Sequence, residues 1–230
     1  MTLYQLKIKL LSDTTFGRGD GVAGLIDQEV EHDPYGFPYL RGRTLKGLLS
    51  EECDNLIAVL PDNVRQHWEK IACGLFGNPG STIGTMASVH VGDACLPNDL
   101  RQAVTYQIQD GTLSKTEILD SLTTLRRQTA IEPDGTPDKG SLRSFRVVLR
   151  QLDFTADLNF EAERIEVDGN LIEMDEMLSL LAVGTLALRH LGSGRNRGRG
   201  HVHCKLCDAQ GQEITERYLS YFGKVKEMSA

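Results

Sequence analysis

The chain has 230 residues, 40% of them apolar and 25% charged, with a single Trp, which is ordinary globular composition and enough length to bury a core. A formal net charge of −7 opposes contact with a polyanion by the molecule as a whole, so any nucleic-acid contact must come from segregated cations. No apolar run reaches the length of a membrane span, which excludes a helical membrane protein.

The opening MTLYQLKIKLLSD has no signal-peptide h-region or cleavage site. The five cysteines are odd in number and scattered, as reduced thiols are; a cytoplasmic protein without membrane contact is expected. Residues 3–11 alternate, with Tyr4, Leu6, Ile8 and Leu10 on one side and Gln5, Lys7 and Lys9 on the other, which predicts a half-buried strand. A glycine-rich, acidic loop follows, where Pro34, Gly36 and Pro38 forbid a helix. Thr44 is placed to cap a helix with Leu45, Leu48, Leu49, Cys53, Leu56, Ile57 and Leu60 on one stripe. A second helix is expected from about Asp62 to Cys73, then a loop across GLFGNPGST and a strand over 86–96.

From Pro97 to Val148 the pattern is polar and turn-rich around EPDGTPDKGS, which predicts a protruding arm or hairpin. Residues 154–161 alternate again, with Phe154, Ala156, Leu158 and Phe160 inward. A helix from about Asp175 to His190 precedes LGSGRNRGRG and the strand HVHCKLCDA. The order strand, helix, strand, strand, helix, strand predicts an α+β fold with a ferredoxin-like split βαβ core.

Charge is strongly segregated. Arg189 to Lys205 carries five Lys or Arg and no acid; Arg41, Arg43 and Lys46 form a second cationic group, and Arg143, Arg146 and Arg150 a third. In the glycine cluster, Gly192, Gly194, Gly198 and Gly200 permit close backbone approach, and Arg195, Arg197 and Arg199 offer bidentate phosphate contacts. A helix precedes this loop and a strand follows it, which excludes a P-loop; an RNA-backbone site is preferred over a bare basic turn. At Gly42-Arg43-Thr44-Leu45-Lys46-Gly47 the cations sit at a helix N-terminus, where their repulsion from the dipole is relieved if an anion intervenes. Gly19-Asp20-Gly21-Val22-Ala23-Gly24 matches GxGxxG, but the helix that a dinucleotide needs does not follow. Cys204 and Cys207, three apart on a strand, face opposite sides, which disfavours zinc with His201 and His203.

Together these segments resemble the RAMP superfamily of CRISPR-associated proteins, most closely the Cas-seven type of backbone subunit in type III effector complexes. GLIDQEVEHDPYGFPYLRGRTLKGLL (24–49) resembles its signature, although Leu40-Arg41-Gly42 stands where many relatives have isoleucine-proline-glycine. Leu75-Phe76-Gly77 followed by ASVHVGDACLP resembles its next turn and strand, RQTAIEPDGTPDKGSLRSFRVV (127–148) its thumb-like hairpin, and LGSGRNRGRGHV its glycine-rich loop. The resemblance implies one RAMP domain over 1–230, with 1–96 and 150–210 as core and 97–149 as inserted arm and thumb. It implies binding to a CRISPR guide RNA and target RNA, and assembly with stacked RAMP subunits and with large and small subunits. It also implies target cleavage by a loop aspartate with Mg2+ or another divalent cation. Asp27 matches that aspartate and would hold the metal; Asp20 is the second choice, and Asp33 is structural. The RNA contacts would fall to Arg41, Arg43, Thr44, Lys46, Arg143, Arg146, Gly194, Arg195, Arg197, Gly198 and Arg199. A non-cleaving scaffold remains open, as does an endoribonuclease that processes precursor RNA with His32, His90 or His201 as base.

Overall fold

In the computed structural model of the chain, residues 2–77 and 87–228 are described. The part of the expected GLFGNPGST loop from 78 onward lies outside the described residues, as does residue 86 of the expected strand.

β1 (Thr2–Leu10) is the strand its alternation predicts, with Leu6, Ile8 and Leu10 buried and Lys7 and Lys9 exposed. α1 (Gly42–Ala58) buries Leu45, Leu49, Cys53 and Ile57, one residue per turn along a single stripe. α2 (Asp62–Phe76) follows and packs on it. β2 (Val89–Val91) is much shorter than expected, because the chain turns at Gly92 and Asp93; Ala94 then pairs with Leu40 and Cys95 with Thr155. The expected arm contains two helices that the sequence reading did not anticipate, α3 (Asn98–Gln109) and α4 (Lys115–Leu122). The hairpin itself is β3 (Thr123–Gln128) and β4 (Arg143–Val148), paired in register from Thr123↔Val148 to Gln128↔Arg143.

β5 (Asp153–Phe160) buries Phe154, Ala156, Leu158 and Phe160 as predicted. A small hairpin, β6 (Arg164–Val167) and β7 (Asn170–Glu173), leads into α5 (Met174–Ala187). Every residue of α5 from Met177 to Thr185 is buried, because α1, α2, β8 (Val202–Asp208) and α6 (Thr215–Met228) surround it. The central sheet has the order β2-β5-β1-β8, and each pair is antiparallel. Leu6 faces Ala156 on one side and Leu206 on the other, and all three are fully buried. Truncating such a residue to alanine costs about 2–5 kcal/mol.

Beyond β1 the chain forms a spine for the site. Thr14 bridges to Val148 at the root of the β3–β4 hairpin, and Thr15 bridges to Ser193 in the glycine-rich loop. Both threonines are fully buried, and their hydroxyls donate to Leu191 O at 2.7 Å and Arg146 O at 3.0 Å. The hairpin and the glycine-rich loop are thereby fixed relative to the sheet.

Candidate nucleic-acid interface

The start of α1 differs from the expectation. Arg41 occupies the N-cap without a side-chain cap, and Thr44 lies inside the first turn. The cap comes from elsewhere: Asp93 Oδ1 accepts the Gly42 N–H at 2.7 Å. The anion at this positive helix end is therefore a carboxylate of the chain itself. Gly42 is buried there, and the position needs glycine because a Cβ would strike the Val91 carbonyl. Arg41, in turn, pairs with the buried Glu31 at 2.6 Å, and Glu31 also accepts from Tyr39 Oη at 3.1 Å.

α1 separates two clefts. On one side Arg41, Thr44 and Leu48 meet Gly192, Ser193 and Arg195 of the glycine-rich loop and Gln28 of the acidic segment, around a cleft of about 270 Å³. On the other side Arg43 and Lys46 face Glu69, Cys73 and Phe76 of α2 across a cleft of about 530 Å³. The cations expected as one group are thus divided by helical spacing: Arg43 and Lys46 line one cleft, and Arg41 shares the other with Arg195 of the glycine-rich loop. Partial burial holds the Lys46 ammonium below the ordinary lysine pKa.

Arg195–Arg197 form a single 3-10 turn framed by Gly194 at φ 80° and Gly198 at φ 73°. Both glycines are left-handed, where an L side chain is strained, so the turn holds its arginines on a tight bend. Arg195 reaches back to α1 and pairs with Glu51 at 3.2 Å. Arg197 is exposed. The Arg199 guanidinium stacks on Phe145 at 4.9 Å, and burial pulls its pKa below the usual value. This contact joins the loop to the hairpin.

On the hairpin, Arg143 is exposed, and among the described residues it touches main-chain carbonyls of its own turn, at 3.4 and 3.5 Å. Arg146 differs: its guanidinium pairs with Glu29 at 3.0 Å and Asp120 at 2.9 Å, with its side chain only 16% exposed. That charge is spent inside the protein. Asp27 is exposed, and its Oδ2 accepts the Ser144 N–H at 2.6 Å. It lines a cleft of about 580 Å³ with residues 21–26, Leu142 and Ser144. Asp20 is bound by Arg18 at 2.6 Å, and that hydrogen bond holds its carboxyl below the usual range. Asp33 is structural, capping the turn at Tyr35 and Phe37 and pairing with Arg101 at 2.9 Å.

Cys204 pairs across β1 with Ile8 on the buried face, and Cys207 pairs with Gln5 on the other; the two thiols point apart. Among the described residues no group of three or more His, Cys, Asp or Glu side chains could enclose a metal. His32 and the stacked pair His190–His201 lie outside the cleft that Arg41 and Arg195 line. Among the described residues no helix is long and apolar enough to cross a membrane.

A model of the RAMP superfamily matches residues 7–203. The chain belongs to the RAMP superfamily. Its fold is similar to that of two solved structures of Type III-B Cmr-beta. For the complex bound to cognate target RNA the TM-score is 0.57 at 14% identity, covering 90% of this chain and 97% of that one. For the apo state the TM-score is 0.56 at 16% identity, covering 89% and 97%. No curated protein matches the chain.

Several residues of this RAMP chain gave no sign of their place in the sequence. Asp93 follows a strand by two positions, and nothing local assigns it to a helix far upstream. Gln28 donates to Ser193 Oγ at 3.0 Å, closing the cleft between two segments 165 positions apart. Asp13 accepts from Arg126 at 2.7 Å and from Arg150 N at 3.1 Å, tying the spine to β3 and to the chain just after β4. Phe145, between arginines in RSFR, is the one legible case: an aromatic beside cations is a candidate stacking partner.

Proposed function

We propose that this RAMP chain is a guide-RNA-binding backbone subunit, of the Cas-seven type, in a type III RNA-guided effector complex, and that it cuts target RNA in the guide–target duplex. The observation that carries the reading is the meeting of the glycine-rich loop and the start of α1 on one cleft, beside an arginine-bearing hairpin. Arg195, Arg197, Arg41, Arg43 and Arg143 would take phosphates, and Gly194 and Gly198 let a strand approach the main chain. The sheet order β2-β5-β1-β8, with helices in both crossovers, supports a ferredoxin-like core with 97–149 inserted. The fold shared with Cmr-beta bound to target RNA supports RNA and other effector subunits as partners; stacked RAMP subunits, large and small subunits and a cytoplasmic location belong to the same proposal.

RNA carries its own nucleophile, the 2′-hydroxyl, so the protein must only hold one nucleotide in line and assist proton movement at that oxygen. Asp27 is exposed for this. It also fits a divalent cation such as Mg2+, which takes one or two carboxylates with substrate phosphates and would stabilise charge on the leaving oxygen. A non-cleaving scaffold is the second reading, favoured because among the described residues Asp27 belongs to no group of three or more His, Cys, Asp or Glu that could hold a metal.

The chain purified with its operon partners is expected to carry a guide RNA. Complementary RNA with Mg2+ should then be cut by wild type and left intact by Asp27→Ala, with guide content equal. Retained cutting by Asp27→Ala overturns the catalytic assignment. Absence of guide from the purified complex overturns the RNA-binding reading. Cutting of precursor RNA by the isolated chain would favour a processing enzyme instead.

A further inference from the structure

The segment that carries Asp27 is a small hairpin, not a free loop. Arg18 N donates to Glu29 O, Glu29 N to Asp20 O, and Val22 and Ile26 exchange both main-chain hydrogen bonds at 2.7 and 2.9 Å. Its outer strand adds to the edge of β4 in parallel, through Gln28↔Phe145. Gln28 N donates to Ser144 O at 3.4 Å, and Arg146 N donates to Gln28 O at 3.0 Å. The next rung of a parallel ladder would run from Ser144 N to Ile26 O. It does not form, because Ile26 O is taken by Val22 N. The Asp27 carboxylate stands in for the missing carbonyl and accepts from Ser144 N at 2.6 Å.

We propose that the Ser144 main-chain N–H is a positioning group for Asp27, so that carboxylate and hairpin meet RNA as one unit. The inference rests on Asp27 as the cutting residue. An exposed aspartate beside residues as open as Leu25, 73% exposed, has several rotamers to sample. A short, charge-assisted bond from a strand N–H selects one of them. Strand β4 is the same element that carries Phe145 and Arg143, so its register on the RNA also sets where the carboxylate falls.

Ser144→Pro removes the donor. The site tolerates proline, because this N–H points away from the β3 ladder and toward Asp27. In the guide-loaded complex, Ser144→Pro is expected to lower the single-turnover cleavage rate about 100-fold, as a carboxylate displaced by about 1 Å does. Target affinity, guide content and thermal midpoint stay at wild-type values, which a merely structural role would not allow. Asp27→Glu keeps the charge but moves it off Ser144; it should lose rate to a similar degree and serves if the proline variant does not assemble. An inactive Asp27→Ala together with full rates in Ser144→Pro or Asp27→Glu overturns this inference alone. Cutting by Asp27→Ala overturns it together with the catalytic reading.

Discussion

Replacing Arg195 by alanine removes the cation that bridges the glycine-rich loop to α1. In the free protein its guanidinium pairs with Glu51 at 3.2 Å, with side chains 37% and 52% exposed. An ion pair so open is worth about 0.5 kcal/mol, so it does not hold the fold together. A guanidinium on an RNA phosphate contributes about 1.5 kcal/mol, close to tenfold in affinity. Arg195→Ala should therefore weaken binding of a guide-length single strand about tenfold and leave the thermal midpoint unchanged. It should also flatten the plot of log affinity against log salt by about 0.7, the value for one phosphate on a single strand. Glu51→Ala releases the same guanidinium and removes a nearby anion, so it should tighten binding about twofold. The double variant should bind like Arg195→Ala. Fluorescence anisotropy over a salt series reads all four proteins. An Arg195→Ala protein that keeps wild-type affinity and an unchanged slope refutes the phosphate assignment.

Gly200 has φ 70°, and a Cβ there would strike the Leu191 carbonyl; Gly200→Ala should cost about 3 kcal/mol, read as a midpoint about 6–12 °C lower by calorimetry. Asp93→Ala leaves the Gly42 N–H uncapped and the helix dipole unopposed, a loss of about 1.5 kcal/mol in denaturant unfolding; Asp93→Asn, which keeps an acceptor, should lose about half as much. Burial pushes the Cys204 thiol from 9.0 up to about 12. Below pH 9 folded and unfolded chains are both neutral at this group; above it only the unfolded chain ionises. This one group should lower stability there by about 1.4 kcal/mol per pH unit, the share of the slope that Cys204→Ala removes in denaturant unfolding.

The sheet and the helices that bury one clean stripe were legible because a single period decides them: Leu6, Ile8 and Leu10 in β1, and Leu45, Leu49, Cys53 and Ile57 in α1, lie where alternation and helical spacing put them. α3 was missed because it buries no residue fully: Val104 and Ile108 pack on the core only in part, Leu100 is exposed, and polar residues separate them. α4 did carry a signal. Ser114 and Glu117 form a capping box, and the S-x-x-E spelling precedes Ile118 and Leu119 in the sequence. The β6–β7 hairpin carried one too: Asp168 and Gly169 have φ 50° and 75°, the Asp-Gly turn that joins short strands. α6 was not anticipated, although α5 is apolar on every side and so needs a further covering element, which α6 supplies with Tyr218 and Phe222. Of the site, the glycine-rich turn could be read from its own residues. The division of Arg41 from Arg43 and Lys46, and the cap by Asp93, depend on which elements flank α1, and no local pattern encodes that.

The hairpin arginines bring the same distinction to a test, since sequence places Arg143 and Arg146 together as RNA ligands and the structure separates them. Arg146 has its side chain 16% exposed and Glu29 only 7%, so removing the cation strands a buried carboxylate, while Asp120 at 58% can return to water. Breaking a buried pair in this way costs about 3–5 kcal/mol, lowered toward about 3 by the exposed partner. Arg146 also carries the carbonyl that accepts from Thr15 Oγ1 and the N–H that donates to Gln28, so strain at this position reaches both the spine and the Asp27 segment. Arg146→Ala should therefore lower the midpoint by about 6–12 °C, and any loss of RNA affinity should follow the unfolded fraction. Arg143→Ala should do the reverse, leaving the midpoint in place and weakening RNA with a flatter salt dependence, because among the described residues its guanidinium pairs with no carboxylate. Glu29→Gln gives the control, since it should destabilise like Arg146→Ala while every cation stays in place. If Arg146→Ala weakens RNA binding with its midpoint intact, the internal pairing with Glu29 does not describe the protein in solution.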